Sequence, residues 1–189
     1  MQIHDDIANS VKVLREGGII LYPTDTVWGI GCDARNKEAV ERIYKVKKRN
    51  EDKSMIILLA DDEEIMHYSR QKNLQVYDYV KGITKPATVI YDEAYGLAPN
   101  LINKDGSIGI RLVTDPFCVS LIRSFGGPVV STSSNVSGYP PPAFFCDIDR
   151  LIIEGVDYIV QHRQDDPEPG IPSTVIRLKE DGSFTVIRP

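Results

Sequence analysis

No unbroken apolar run in this chain of 189 residues exceeds six, Met55 to Ala60. A bilayer-crossing helix needs about 20, so no membrane association is expected. The opening residues, Met1-Gln-Ile-His-Asp-Asp6, carry neither a basic segment nor an apolar one. No secretory signal is read there, and the expectation is a soluble, cytoplasmic protein. Cysteine is scarce: Cys32, Cys118 and Cys146 make an odd set with no C-x-x-C. That excludes a disulfide framework and a zinc cluster, and leaves three reduced thiols. His4, His67 and His162 are scattered, and none sits in a triad context; no metal-ligand set is read. Positive charge is in deficit, 22 Lys and Arg against 27 Asp and Glu, for a net charge of -5. Such a balance disfavours a long nucleic-acid track and favours a small anionic ligand. Neither G-x-x-x-x-G-K-[ST] nor a G-x-G-x-x-G after a strand is found.

What remains is an ordinary globular composition, 42% hydrophobic and 26% charged. Its length suits one domain with a core that stands unaided. Helices are expected over about Asp5 to Glu16, after the Asn36 cap, from Asp61, over Asn73 to Val80, after Asp115-Pro116, and around Asp147 to Glu154. Strands are expected at Ile19 to Tyr22, Met55 to Leu59, Ala87 to Tyr91, Ile108 to Val113, Pro128 to Ser131 and near Asp157 to Val160. Thr174 to Leu178 and Phe184 to Arg188 close the chain as a hairpin about Asp181-Gly182. The fold class is therefore α/β: a single domain, with a twisted mixed sheet of about seven strands flanked by helices.

Three features share a chemistry. Pro23-Thr-Asp-Thr26 and Ser131 to Gly138 place hydroxyls, an amide and glycine at strand ends, and Lys45-Val-Lys47-Lys48-Arg49 with Lys53 gathers cations. Hydroxyls and free amide groups suit a phosphate-rich or zwitterionic ligand, and arginine adds planar recognition of phosphate or carboxylate. Each has an ordinary alternative, since a cationic helix end is commonly solvated surface and a Ser/Thr-rich loop commonly a turn. Arg111 is sharper. It interrupts the apolar run Ile108-Gly-Ile-Arg-Leu112, so it must face solvent, a partner or a ligand. Composition and periodicity alone stop at an anion-binding α/β domain.

Five ordered blocks carry a resemblance. They are Tyr22-Pro-Thr-Asp-Thr-Val-Trp-Gly-Ile-Gly31, Lys47-Lys-Arg49 with Lys53, Ser107-Ile-Gly-Ile-Arg111, Ser131-Thr-Ser-Ser-Asn135-Val-Ser-Gly138, and Pro172-Ser-Thr-Val-Ile176 with Val186-Ile-Arg-Pro189. Over nearly its full length the chain resembles the YrdC-like family of threonylcarbamoyl-AMP synthases, in the short single-domain form. Within the blocks it departs from the family pattern at Asn50 and Ser54, where proline is usual, at Ser134, where alanine is, and at Leu58, where some members carry histidine. The resemblance implies a YrdC-like α/β twist with a concave basic cleft. It implies an ATP-using nucleotidyltransferase that joins L-threonine, bicarbonate and ATP, with Mg²⁺, into threonylcarbamoyl-adenylate and pyrophosphate. A separate transferase complex would consume that product to modify tRNA. By motif position, Thr26, Arg111, Ser131 and Ser173 become threonine-side residues. Arg49, Lys53, Ser107, Ser133, Asn135 and Arg188 become ATP-side residues, with Lys47 and Arg49 as the catalytic pair on the phosphates.

Two other readings compete. A non-catalytic module could hold tRNA or double-stranded RNA in the basic cleft, a reading the acidic balance weighs against. A carbamoyl-transfer relative, of the kind found within larger hydrogenase-maturation proteins, would need acylphosphatase-like and zinc-finger segments that this sequence does not contain.

Overall fold

A computed structural model of the chain describes residues 2–50, 55–70, 85–179, 181 and 183–189. Helix α1 (Gln2–Arg15) turns at Gly17, φ +77°, into β1 (Ile20–Tyr22). Then come β2 (Gly29–Gly31), α2 (Lys37–Val46), β3 (Ile56–Leu59), a 3-10 helix (Asp62–His67), β4 (Ala87–Tyr91) and β5 (Ile108–Leu112). After these, α3 (Pro116–Phe125), β6 (Val129–Ser133), a 3-10 turn (Phe145–Asp147), α4 (Arg150–Gly155), β7 (Tyr158–Ile159), β8 (Thr174–Leu178) and β9 (Phe184–Arg188) complete the described elements. The expected caps are present: Asn36 accepts from the Ala39 amide, and Asp115 accepts from the Cys118 amide with Pro116 at the first helical position. The expected helix over 73–80 lies outside the described residues.

One mixed sheet runs β7-β1-β2-β6-β3-β5-β4-β8-β9. It has nine strands among the described residues rather than about seven, and one was missed outright. Gly29-Ile-Gly31 has little strand propensity, so it reads as a connection. Yet a Cβ on Gly31 would lie 2.6 Å from the Val130 carbonyl and 2.7 Å from the Tyr22 ring. The glycine lets Tyr22 cross the strand and donate to the Val130 carbonyl at 3.1 Å. Two helices also differ from expectation. The acidic start at Asp61 gives a 3-10 helix, and the stretch expected as one helix around Asp147 to Glu154 is broken. Asp149 caps α4 by accepting from the Leu151 amide at 2.8 Å, so the helix starts afresh there.

The registers separate the two faces of the sheet. Ile30, Val130, Ile57, Ile110, Val89 and Ile176 share one face and are all buried. The alternation of period two puts Gly29, Ser133, Ser131, Ile56, Gly109, Arg111 and Thr88 on the other. That face also carries Leu58, Val129 and Ile90, and its polar and glycine positions gather over β2, β6 and β5. Among the described residues, no helix is long and apolar enough to cross a membrane.

Candidate active site

On this second face, a cavity of about 200 Å³ is lined by Thr26 from the β1–β2 turn, Ser131 and Ser133 from β6, Arg111 from β5, Ser173 ahead of β8, and Arg188 from β9. Arg49, Gly29, Ile56, Pro141 and Pro172 complete much of its wall. Among the described residues it thus holds three guanidinium groups and no carboxylate, on a chain of net charge -5. Seven of the residues singled out in the sequence meet here.

Arg111 is 3% exposed. Its Nη1 donates to Thr26 Oγ1 at 3.0 Å, and Thr26 Oγ1 in turn lies 2.9 Å from Thr24 Oγ1. Its Nη2 sits 3.1 Å from Asp25 Oδ1, close enough for an ion pair but out of line for a hydrogen bond. Neither Nε nor Nη2 has a hydrogen-bond partner among the described residues. Both atoms are buried and Nη2 faces the Asp25 carboxylate, so this edge of the guanidinium is already turned toward a carboxylate. Burial pushes the Asp25 carboxyl above its ordinary value, against the pull of Arg111.

Ser173 sits between two neighbours. Its hydroxyl lies 2.9 Å from Thr88 Oγ1, and its carbonyl accepts from Arg188 Nε at 3.1 Å and Nη2 at 2.8 Å. The stretch leading to it crosses the β1–β2 turn: the Ile171 amide donates to the Thr26 carbonyl at 3.0 Å.

The cationic end of α2 divides its side chains. Lys45 turns outward to Glu41 at 2.6 Å. Lys48 takes the left-handed conformation, φ +49°, while the Arg49 amide reaches back to the Tyr44 carbonyl and the Lys48 amide to that of Lys45. This is a Schellman ending, and from it Arg49 enters the cavity wall, where burial lowers its pKa. Lys47 is fully buried and is not part of the wall. Its ammonium donates to the carbonyls of Ser133 and Asn135.

Two more of the expected residues lie outside this wall. Asn135 borders a neighbouring hollow of about 350 Å³ that shares Pro141 with the first, and its amide donates to the Tyr139 carbonyl at 2.7 Å. Ser107 precedes β5 on the same face as Arg111, with its hydroxyl donating to Asp105 at 2.6 Å and accepting from Asn103 at 3.0 Å. Lys53 lies outside the described residues. Sequence reasoning missed Asp25, Thr88 and Gly170. Asp25 had a readable signal, an acid beside Thr26 in a chain with one arginine inside an apolar strand; Thr88 and Gly170 had none.

Ser134 stands in the same segment, fully buried, and its hydroxyl has no hydrogen-bond partner among the described residues. Ser134→Ala is expected to stabilise the fold by about 1 kcal/mol and to raise Tm by roughly 2–4 °C in thermal melting.

The sequence model of the Sua5/YciO/YrdC family, described as telomere recombination, matches residues 12–189. A threonylcarbamoyl-AMP synthase of Hahella chejuensis is 33% identical over 153 residues, covering 80% of this chain and 83% of the relative. One of Photobacterium profundum is 28% identical over 187 residues, covering 97% and 98%. Among solved structures, P. abyssi Sua5 complexed with L-threonine superposes with a TM-score of 0.83 at 24% identity, covering 97% of this chain. The chain spans about half of that protein, 53% of its length. YciO of E. coli superposes with a TM-score of 0.81 at 27% identity, covering 96% of this chain and 87% of that one.

Proposed function

The chain belongs to the Sua5/YciO/YrdC family, and on that premise we propose that it is a threonylcarbamoyl-AMP synthase, a nucleotidyltransferase acting on L-threonine, bicarbonate and ATP. The observation that carries the reading is the wall of guanidinium and hydroxyl groups, without a carboxylate among the described residues, set in an acidic chain. Such a wall suits substrates that bring a carboxylate, a bicarbonate and a triphosphate together.

The threonine carboxylate pairs with the Arg111 guanidinium, competing with Asp25 for Nη2, and Thr26, Ser131 and Ser173 supply hydroxyl partners for its remaining polar groups. An analogue without the side-chain hydroxyl leaves one of these unpaired, which is the basis for discrimination. The amine adds to the bicarbonate carbon and water leaves, giving a carbamate. A carbamate oxygen then forms a bond to the α-phosphorus as pyrophosphate departs. No protein nucleophile is needed. Arg49 and Arg188 lower the cost of bringing a triphosphate beside a carbamate, and positioning supplies the rest. The neighbouring hollow beyond Pro141 gives room for the nucleoside, with Ser133 and Asn135 on the connecting segment. Ser107 extends the ATP side along β5, and motif position assigns Lys53 to the same side.

Among the described residues the wall has no carboxylate or imidazole, so these side chains do not fit a protein-held Mg²⁺. The ion enters, on this reading, as the counterion of the triphosphate. The product is a reactive mixed anhydride, so the reaction that consumes it is an acyl transfer to an amine, here assigned to a tRNA-modifying partner in the cytoplasm.

Pyrophosphate release is the test, with L-threonine, bicarbonate and ATP–Mg²⁺ each withheld in turn. Release that requires all of them is expected. Release indifferent to threonine, or RNA binding without turnover by folded protein, overturns the assignment.

A further inference from the structure

Among the described residues, Lys47 is the one fully buried cation near the site that the proposed chemistry leaves unused. Its ammonium donates to the Ser133 carbonyl and, at 2.7 Å, to the Asn135 carbonyl, while its own carbonyl accepts from the Ser137 amide at 2.8 Å. One residue at the end of α2 thereby makes three bonds to the segment that follows β6. The segment has no regular structure and turns at Gly138, φ +95°.

We propose that Lys47 is a positioning residue for the nucleotide side of the site: its ammonium clamps segment 133–139 to α2 and fixes the shape in which that segment offers Ser133 and Asn135, without touching phosphate. The assignment of this side to nucleotide rests on the proposed function.

Three arguments support the clamp. A single ammonium carries three donors and can take two carbonyls two residues apart. Without it, those part-buried carbonyls would lose this donor, at a cost in stability. Contact with phosphate would require the side chain to swing out of a fully buried position. Burial also drives the Lys47 pKa down to about 7, the direction for a cation that has partners but no counter-charge. The segment's inner bonds then follow. Ser133 Oγ donates to Asn135 Oδ1, and Asn135 Nδ2 donates to the carbonyls of Val136 and Tyr139.

Lys47→Met keeps the length of the side chain and removes the donors. Hydrogen exchange is read first on ligand-free protein, and amides of 133–139 are expected to exchange about tenfold faster or more, with β3 to β5 unchanged. In turnover, the KM for ATP is expected to rise about tenfold or more while the KM for threonine stays within about twofold. Should the methionine variant fail to fold by circular dichroism, Lys47→Gln retains two donors and is expected to give intermediate values for both. Wild-type exchange with weakened ATP binding would mean direct phosphate contact and overturn the clamp. Faster exchange with an unchanged KM for ATP would overturn its role in positioning. A wild-type protein that binds no ATP would refute the functional reading, and the ligand-free exchange would still decide the clamp.

Discussion

Arg111→Lys is expected to raise the KM for threonine about 100-fold, an apparent loss of roughly 3 kcal/mol, and to leave Tm nearly unchanged. The physical reason lies in the shape of the cation. Arg111 donates from Nη1 to Thr26 and sets Nη2 3.1 Å from Asp25, so one planar group serves both neighbours and an incoming carboxylate. An ammonium keeps the charge that Asp25 faces but loses the planar set of donors. Arg111→Ala separates the two roles. It leaves Asp25, 11% exposed in its side chain, with its nearest counter-charge gone, and is expected to cost about 3–5 kcal/mol of stability. The pH dependence has a definite sign. Burial already raises the Asp25 pKa, so the folded state holds the proton more tightly than the unfolded one. The contribution of Asp25 to the stability of the alanine variant is therefore fully present at low pH and is lost as pH rises through its folded-state pKa, so the deficit relative to wild type narrows on acidification. Thermal melting of both variants across the acid range checks this. A lysine variant with a wild-type KM would remove Arg111 from the threonine site.

The sequence made some of this geometry legible and hid the rest for local reasons. Arg111 could be found because a charge inside an aliphatic strand demands a partner, and the structure supplies Thr26 and Asp25. Asn36 and Asp115 capped where their types said they would, while the two faces of β3 did not show, because Ile56–Leu59 is apolar throughout. What else failed to show was whatever depends on two segments meeting. Lys47 and Arg49 read as one cationic patch, yet the left-handed turn at Lys48 sends one into the protein and the other to the cavity. Gly29-Ile-Gly31 reads as loop because glycine has no strand preference, and it is a strand because Tyr22 must cross it. Thr88 is an ordinary strand threonine until Ser173 arrives beside it from 85 residues away.

Gly170 belongs to this second kind, and its substitution tests how the site is closed. Gly170→Ala is expected to lower kcat/KM for threonine on the order of 10–100-fold, with KM for ATP little altered and Tm nearly that of wild type. The added Cβ would lie 2.7 Å from the Thr26 carbonyl oxygen and 3.0 Å from Val27 Cα. Both are backbone atoms of the turn that carries Thr26, so no rotamer change relieves the contact and the chain itself must move. One end of the stretch is fixed by Arg163, whose guanidinium bridges Asp115 and Asp166 at 3.0 Å each. The other end runs into β8. Displacement therefore falls between them, on the Ile171 amide bonded to the Thr26 carbonyl and on Pro172 and Ser173 in the cavity wall. The fold loses little, because this stretch is largely exposed, Ile171 by 62%. The site loses more, because Thr26 and Ser173 approach the cavity from opposite sides of that contact. Steady-state kinetics with each substrate varied, beside a melting curve, reads both effects. An alanine variant that keeps its threonine kinetics would show that Thr26 and Ser173 hold their places without the strap. One that loses Tm and both KM values together would show that the contact supports the fold and not the threonine side.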